Sequence, residues 1–346
     1  MDIKRASNNS ANRSLHSLLL SPKNYDIEIM TNPTIREPIL SVSDQNKKNN
    51  TEQQEQQRQQ EDDDDSNSCD SDSSDGDYPS WVRSIRSKTG LETGVEIEFP
   101  GCTAPSILKL TTCMQEADIS PMFSGTQWAG TRVWRSSIVA IQYILQEFGT
   151  TFVDNQRKTA VTKTKSSTTT SLVELGCGLG VPGMIVHAML GWNVVLTDKD
   201  PLPKQLEVNC KSNFPVDYGQ SILAHELDWS REGVQELVNR NYFSNSNTTT
   251  ATATAKKGFD VCINCDCVYE PLYGLSWKLL VETMDELLRI NPKTVVMTCL
   301  ERRKSDGVDN FLEALRESQH ISSVERIVFD KNNFPEVHLY RIYGVI

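Results

Sequence analysis

The sequence has no long apolar run. None of its hydrophobic stretches approaches the roughly 18 consecutive apolar residues that a membrane-spanning helix needs. The short apolar run Leu18–Leu20 is too weak for a secretory signal peptide. The opening stretch is Ser-rich and mildly basic, so import into an organelle stays open. We expect a soluble protein without a membrane anchor, located in the cytoplasm and also in the nucleus.

An excess of basic charge is also missing. Lys and Arg total 35 against 46 Asp and Glu, which gives a formal net charge of −11. Nine of the carboxylates lie between Glu61 and Asp77, and without those nine the rest of the chain has a formal net charge of −2. A nearly neutral chain does not favour non-specific nucleic-acid binding. We expect no direct nucleic-acid binding and interpret the acidic run as a solvating flank.

Paired cysteine motifs are absent too. The nine cysteines are scattered, and the only cluster is Cys262, Cys265 and Cys267. Strand alternation would place Cys265 and Cys267 on one face and Cys262 on the other, and no second Cys pair or paired His completes a site. We predict no metal site, and the scattered thiols fit a reducing compartment.

The composition divides the chain into a tail and one domain. Residues 1–85 are rich in Asn, Gln, Ser and Asp and bury too little apolar surface to order the chain, so we predict disorder there. We expect one folded domain over residues 86–346. Two polar, aperiodic stretches, 155–171 and 244–257, are predicted to be loop inserts in that domain.

Strand and helix patterns alternate regularly from Ser171 to Gln319. This alternation is typical of a parallel sheet covered on both faces. Two final strands, Val324–Phe329 and Val337–Val345, are joined by a stretch too short for a crossover helix, so they must pair antiparallel. Three elements are predicted before the alternation: the strands Val95–Phe99 and Ile107–Thr111 and the helix Thr131–Gly149.

A glycine-rich turn follows the first strand of this alternation. Residues 173–180 read VELGCGLG, with glycines at 176, 178 and 180 and the acidic Glu174 two positions before the first of them. Glycine permits positive φ and close approach of the backbone to a ligand. A dinucleotide fingerprint places its third glycine three positions after the second, whereas here the interval is two. The spacing resembles motif I of S-adenosylmethionine-dependent methyltransferases, although alone it is equally typical of an ordinary tight turn.

Carboxylates follow the next two predicted strands. In a doubly wound sheet the ligand lies beyond the carboxyl ends of the strands. Asp198 lies 22 positions after Gly176, where an acidic side chain can accept hydrogen bonds from ribose hydroxyls. The alternative for Asp198, a helix cap, fits Asp200 better because a proline follows it. Asp228 and Trp229 are suited to an adenine, or else to a helix cap and a core aromatic.

The fourth strand of the alternation ends in Cys265-Asp266-Cys267-Val268-Tyr269. An aspartate directly after a buried strand, three residues before a tyrosine, would face a reacting group at the sheet edge. We predict that Asp266 orients the nucleophile or stabilises the methyl donor. Tyr269 would shape the channel and hydrogen-bond the nucleophile, or else be an ordinary half-buried tyrosine.

With Trp134, these strand ends resemble the seven-β-strand protein-lysine methyltransferases of the nicotinamide-methyltransferase-like family, in the branch that modifies chaperones and other abundant cytosolic proteins. The resemblance covers roughly residues 91–346. The matching pieces are Gly125–Ile144 with Val133-Trp134, Glu174–Gly180, Thr197-Asp198, Leu227–Trp229, Asp266–Tyr269, Glu301–Arg303 and Val337–Tyr340.

The resemblance implies an α/β fold with a Rossmann-like, seven-stranded class I methyltransferase sheet, parallel with a C-terminal antiparallel hairpin. It also implies S-adenosylmethionine as cofactor, a lysine of a protein such as a chaperone or translation factor as acceptor, and a monomer. By position, the cofactor-binding residues would be Trp134, Gly176, Cys177, Gly178, Asp198, Trp229 and Cys265, and the catalytic residues Asp266 and Tyr269.

Two residues depart from the family pattern. Cys265 stands where relatives often have alanine, which alters packing more than chemistry. Arg135 stands where close relatives commonly have aspartate, which puts the identity of the substrate in doubt.

Other functions stay open. The acceptor could be a small molecule, a nucleic-acid base, or a His or Arg of a protein, although Cys267-Val268 replaces the two prolines usual in base-methylating enzymes. A non-catalytic scaffold with this fold is a further alternative, and a dehydrogenase is disfavoured by the glycine spacing and the terminal hairpin.

Overall fold

A computed structural model of the chain describes residues 26–30, 80–86, 92–99, 102, 104–112, 130, 132–161, 169–240, 258–330 and 332–346. All of these described residues belong to one compact unit. None of the helices in these ranges is long and apolar enough to cross a membrane.

The strands, in chain order, are β1 (Asp26–Met30), β2 (Val82–Arg86), β3 (Glu92–Ile97), β4 (Leu108–Thr111), β5 (Ser171–Leu175), β6 (Asn193–Asp198), β7 (Ile222–Glu226), β8 (Val261–Cys265), β9 (Val295–Glu301), β10 (Ile321–Val328) and β11 (Val337–Gly344). The helices are α1 (Arg135–Val161), α2 (Val181–Leu190), α3 (Leu202–Asn213), α4 (Arg231–Asn239), α5 (Glu270–Tyr273), α6 (Trp277–Ile290) and α7 (Val308–Glu317).

The main sheet has the strand order β1-β10-β11-β9-β8-β5-β6-β7. The strands from β5 to β9 pair in parallel. The strands β10 and β11 form an antiparallel pair, and β11 pairs antiparallel with β9. These seven strands confirm the predicted sheet and its C-terminal hairpin. The chain runs from β5 outward to β7 and then returns to β8 on the other side of β5. The strand order therefore reverses between β5 and β8, which is where open α/β sheets bind ligands.

The central strands are apolar on both faces because helices cover both. Leu172 and Val194 pack in one hydrophobic core. Val173 and Val195, their chain neighbours, pack in the other. Successive strand residues point to opposite faces, so two separate cores form on the two sides of one sheet.

Two strands lie inside the stretch 1–85 that was predicted to be disordered. β1 pairs antiparallel with β10 and adds an eighth strand to the sheet, and most of β2 also falls in this range. The prediction was wrong for these segments because composition averaged over 85 residues hides a five-residue stretch, Asp26–Met30, in which Ile27 and Ile29 alternate with acidic residues. Residues 1–25 and 31–79 lie outside the described residues, and for them disorder stays a prediction.

The two predicted inserts differ in outcome. α1 does not end at Gly149 but continues to Val161, so the first seven residues of the predicted insert 155–171 are helical, and Ser171 already belongs to β5. A single glycine costs a helix only about 1 kcal/mol, which the flanking turns outweigh. The second insert, 244–257, lies entirely outside the described residues, which stop at residue 240 and resume at 258.

A small antiparallel sheet of β2, β3 and β4 precedes α1. The predicted strands Val95–Phe99 and Ile107–Thr111 correspond to β3 and β4, whereas β2 was not predicted. The buried Asn209 of α3 accepts a hydrogen bond from the Thr111 backbone N–H at 2.9 Å. The small sheet is thereby joined to a helix of the main layer.

Candidate active site

The glycine loop between β5 and α2 has a backbone that only glycine adopts easily. Gly176, Gly178 and Gly180 have φ values of 58°, 53° and 71°. A Cβ on Gly176 would lie 2.7 Å from the Cys267 Sγ and 3.0 Å from the Trp229 Cζ2. Trp229, which follows β7, and Cys267, which follows β8, therefore pack directly against this loop.

Most backbone N–H groups of the loop donate hydrogen bonds to acceptors within the protein. Cys177 N–H donates to the Thr197 carbonyl at 3.0 Å, and Gly180 N–H donates to the Cys177 carbonyl at 2.8 Å. Gly178 N–H donates to the Asp198 Oδ2 at 2.8 Å. Loops that bind phosphates present such N–H groups to the ligand instead. This loop is therefore better suited to a ligand without a pyrophosphate.

Glu174 also makes the loop better suited to a ligand without a pyrophosphate. Its Oε2 accepts a hydrogen bond of 2.8 Å from Gly183 N–H in the first turn of α2, where the N-cap residue, Gly180, has no side chain. The side chain is buried, and burial raises its pKa to about 8. A carboxyl group thus occupies the helix start that a dinucleotide-binding fold uses for pyrophosphate. Glu174 was noticed in the sequence as part of the glycine motif, but no role followed from its position alone.

Asp198 ends β6 beside the loop. Its Oδ1 accepts from Lys199 N–H and its Oδ2 from Gly178 N–H, each at 2.8 Å. Burial raises the pKa of this carboxyl to about 6, against the effect of these two hydrogen bonds. Each carboxylate oxygen has a second lone pair. Asp198 therefore retains acceptor capacity for the ribose hydroxyls that the sequence predicted.

The helix-cap alternative for Asp228 is wrong. Ser230 is the N-cap of α4, and its hydroxyl oxygen accepts from Gly233 N–H at 3.0 Å. The Asp228 side chain is exposed, and Trp229 is half-buried against Gly176. An exposed carboxylate beside a half-buried indole is compatible with the predicted adenine site.

Strand alternation predicted that Cys265 and Cys267 share one face of the sheet, and this prediction is wrong. Cys265 packs against one hydrophobic core, whereas Cys267 belongs to the other, together with Cys262. The reason is that β8 ends at Cys265 and Asp266 turns the backbone with φ 51°. The thiol that reaches the glycine loop is Cys267, whose Sγ lies 3.4 Å from the Leu175 carbonyl oxygen. The sequence had indicated Cys265 for the cofactor, and strand alternation gave no signal for Cys267.

Asp266 is buried and joins three elements. Its Oδ2 accepts from the Ser136 hydroxyl of α1, and its Oδ1 accepts from Glu301 N–H at the end of β9, both at 2.8 Å. Arg303 Nη1 lies 3.5 Å from the same Oδ1. Burial raises the pKa of Asp266, and the positive charge of Arg303 opposes that shift.

Arg303 lies among the residues predicted for the reaction. Its guanidinium carbon is 5.3 Å from the ring centroid of Trp134 and 5.3 Å from that of Tyr269. Its Nη2 lies 2.9 Å from the Glu301 Oε2. The sequence placed Arg303 in a matching segment but assigned it no role, because its contacts come from α1 and from the turn after β8.

Arg135, the departure from the family pattern, has a defined partner. Its Nη1 lies 3.2 Å from the Glu301 Oε1, so Glu301 bridges Arg135 and Arg303. The structure thus brings two groups of predicted residues to the carboxyl edge of the parallel strands. One surrounds the glycine loop and the other surrounds Arg303. They meet where Cys267 follows Asp266.

The sequence of the domain matches a known family. Residues 123–318, more than half of the chain, match the family described as lysine methyltransferase. The chain belongs to the lysine methyltransferase family. The resemblance stated from the strand-end residues is confirmed.

Relatives of this lysine methyltransferase-family chain include "Protein N-lysine methyltransferase METTL21A" of Danio rerio, 27% identical over 170 residues, which are 49% of this chain and 64% of the relative. "Secreted RxLR effector protein 48" of Plasmopara viticola is 39% identical over 139 residues, 38% of this chain and 64% of that protein. The chain thus spans less than two thirds of both relatives. A solved S-adenosylmethionine-dependent methyltransferase from Agrobacterium tumefaciens aligns with 74% of this chain and 72% of its own, at 12% identity and a TM-score of 0.41.

Proposed function

We propose that the protein is an S-adenosylmethionine-dependent methyltransferase that methylates a lysine side chain of a protein substrate. The observation that carries the proposal is the glycine loop, closed by Asp198 and Trp229 and with most of its N–H groups already bonded, in a chain of the lysine methyltransferase family. The name of the relative METTL21A supports the choice of a protein lysine as acceptor.

The residues around the loop fit the cofactor. The half-buried Trp229 offers an apolar face to an adenine, and Asp198 has lone pairs for two ribose hydroxyls. Glu174 at the start of α2 disfavours a pyrophosphate, which S-adenosylmethionine lacks. When bound, the cofactor supplies a methyl group made electrophilic by a positively charged sulfur.

The residues around Asp266 fit an amine acceptor. A lysine has an ordinary pKa of about 10.4, so it must lose a proton before it can act as a nucleophile. The half-buried side chains of Trp134 and Tyr269 exclude part of the water around the amine. Asp266 has three donors around it and about four acceptor positions, so it can accept one further hydrogen bond, from the amine. The Tyr269 hydroxyl would orient the same nitrogen.

The remaining details belong to the same proposal. The acceptor would be a chaperone or a translation factor, the enzyme a monomer, and its compartment the cytoplasm and the nucleus. The support for these is the likeness to a branch of enzymes acting on cytosolic proteins, together with the nearly neutral charge of the chain outside its acidic run.

Equilibrium dialysis with labelled S-adenosylmethionine tests the cofactor. The full chain should bind the cofactor, and Asp198→Ala should weaken binding by roughly 10- to 100-fold, because hydrogen bonds to a charged group contribute about 1.5–3 kcal/mol. Asp200→Ala removes an exposed carboxylate two residues away, on the far side of Lys199, and should bind like the wild type. Absence of binding by the wild type would overturn the proposal.

The same labelled cofactor, incubated with the enzyme and a cell extract, identifies the acceptor. Hydrolysis of the labelled protein should yield methylated lysine. Label recovered in methylhistidine or methylarginine would refute the lysine assignment while leaving the methyltransferase assignment in place.

A further inference from the structure

Arg303 has the surroundings of a bound cation. Its guanidinium lies 5.3 Å from the centroids of two aromatic rings, those of Trp134 and Tyr269. Two carboxylates face it as well, Glu301 at 2.9 Å and Asp266 at 3.5 Å. Aromatic faces attract ammonium and guanidinium groups alike, and paired rings form the usual binding site for alkylated ammonium ions. These four side chains, which we call the cation box, would receive a lysine ammonium group as readily as an arginine.

The neighbouring Arg302 shows what a purely structural arginine looks like in this segment. Its Nε donates to the Asp306 Oδ2 at 2.8 Å, and two of its nitrogens each lie 3.1 Å from oxygens of Asp309. Neither carboxylate belongs to the cation box. Arg302 thus secures the turn after β9, whereas Arg303 directs its charge into the predicted reaction site.

The Arg303 side chain can leave the box without unfolding the turn. Its backbone N–H donates to the Asp306 Oδ2 at 2.9 Å, so the main chain is held independently of the side chain. A quarter of the side-chain surface, 25%, is solvent-exposed, against 3% for Asp266. Arg303 also lines a surface cleft together with Glu270. The Glu270 Oε1 accepts from the Trp277 Nε1–H at 2.8 Å, so the Oε2 offers the guanidinium an alternative position.

We propose that the cation box is the binding site for the acceptor's ammonium group and that Arg303 fills it as an internal competitor, which a substrate lysine must displace. This inference rests on the proposed function and adds to it the residue that controls entry of the acceptor. Arg303 then acts on specificity, because only a cationic side chain long enough to reach the box replaces it.

Small cations test the proposal without a known protein substrate. The probes are n-butylammonium, which copies the end of lysine, and ethylguanidinium, which copies the end of arginine. Titrations of the full chain followed by ligand-observed NMR should show that Arg303→Ala binds both probes at least ~10-fold more tightly than the wild type, a gain typical of a desolvated cation on aromatic faces.

Three variants control the result. Arg303→Lys keeps a cation in the box and should exclude the probes as the wild type does. Lys304→Ala removes a positive charge from the adjacent, exposed position and should also behave like the wild type. Arg303→Ala combined with Tyr269→Ala should lose the gained affinity. If Arg303→Ala does not fold, Arg303→Gln carries the same expectation.

Two results would overturn the proposal: probe binding by Arg303→Ala no tighter than by the wild type, or equal binding by Arg303→Lys and Arg303→Ala. Dialysis with labelled S-adenosylmethionine on the same samples separates this failure from a failure of the proposed function. Cofactor binding without any gain in probe affinity rejects only the cation box, whereas a wild type that binds no cofactor rejects the proposed function itself.

Discussion

Asp266 shows how one side chain can connect three elements of the candidate active site. It lies in a left-handed conformation, φ 51°, directly after β8. Aspartate and asparagine tolerate this region better than other non-glycine residues do. The turn sends the backbone away from the sheet, so that the carboxylate meets Ser136 and the Glu301 N–H. Its position thus depends on the backbone conformation as well as on its partners.

That dependence decides which substitution tests Asp266. Asp266→Asn keeps the residue type compatible with φ 51° and removes the charge, so it should lower the rate of methyl transfer by roughly 10- to 100-fold, the equivalent of a charge-assisted hydrogen bond. Tyr269→Phe removes one neutral hydroxyl and should cost about 3- to 10-fold. Initial rates with labelled cofactor and the acceptor identified from extract measure both.

Tyr218→Phe, at the opposite end of β7 from the site, is the matched control and should retain the wild-type rate. Unchanged rates in both Asp266→Asn and Tyr269→Phe would remove these residues from the reaction. Both variants should still bind the cofactor, because neither touches the glycine loop.

Glu174 makes a separate prediction about pH. Burial raises its pKa from 4.5 in the unfolded reference to about 8, so the folded chain binds more protons between these values. The free energy of unfolding therefore falls as pH rises through this window. Asp198, with its pKa raised to about 6, and Asp266 act in the same direction. In Glu174→Gln the free energy of unfolding should decrease with pH less steeply, by up to ~1.4 kcal/mol per pH unit, because glutamine does not titrate.

Urea unfolding of Glu174→Gln at pH 5, 6, 7 and 8 measures that slope. Glutamine still offers an oxygen to Gly183 N–H, so the start of α2 stays capped. Glu313→Gln, on an exposed position of α7, should leave the wild-type slope unchanged. A slope in Glu174→Gln equal to that of the wild type would show that Glu174 is ionised in the folded chain.

At the scale of elements, β1 closes an edge of the sheet that the C-terminal hairpin would otherwise expose. Its five residues pair in register with β10, from Asp26 opposite Val328 to Met30 opposite Val324. An unpaired edge strand offers its backbone groups to other chains. The segment Asp26–Met30 thus contributes to the fold, although it lies wholly within the predicted disordered tail, residues 1–85.

Removal of residues 1–31 should therefore lower the free energy of unfolding by roughly 1–3 kcal/mol, the contribution of a few backbone hydrogen bonds. The truncation should also promote self-association through the exposed edge of β10. Cofactor binding should persist, because the glycine loop follows β5, which lies five strands away from β1 in the sheet. Removal of residues 1–25 keeps β1 and is the control. Chemical unfolding and light scattering measure the two effects, and equal behaviour of the two truncations would contradict a stabilising role for β1.

At the scale of the whole molecule, the parts that follow from local patterns were predicted and those that follow from distant contacts were not. The parallel sheet and its hairpin follow from strand and helix periods. Asp198 and Trp229 were predicted to bind the cofactor because the residues at the carboxyl ends of such strands lie at the edge where open α/β sheets bind ligands. The contact of Ser136 with Asp266 joins residues 130 positions apart, and no spacing in the sequence encodes it. The contacts of Arg303 with Trp134 and Tyr269 were missed for the same reason.

The strand order has a consequence for how the protein acquires its site. β5 pairs with β6, its successor in the chain, but also with β8, where Leu172 lies opposite Val261. Closing that second pairing brings together residues distant in the chain and is entropically costly, so we expect it to form later than the β5–β6 pairing. The glycine loop follows β5 and the cation box lies at the end of β8. In a nascent or refolding chain we therefore expect β5, β6 and β7 to pair before the two halves of the candidate active site meet.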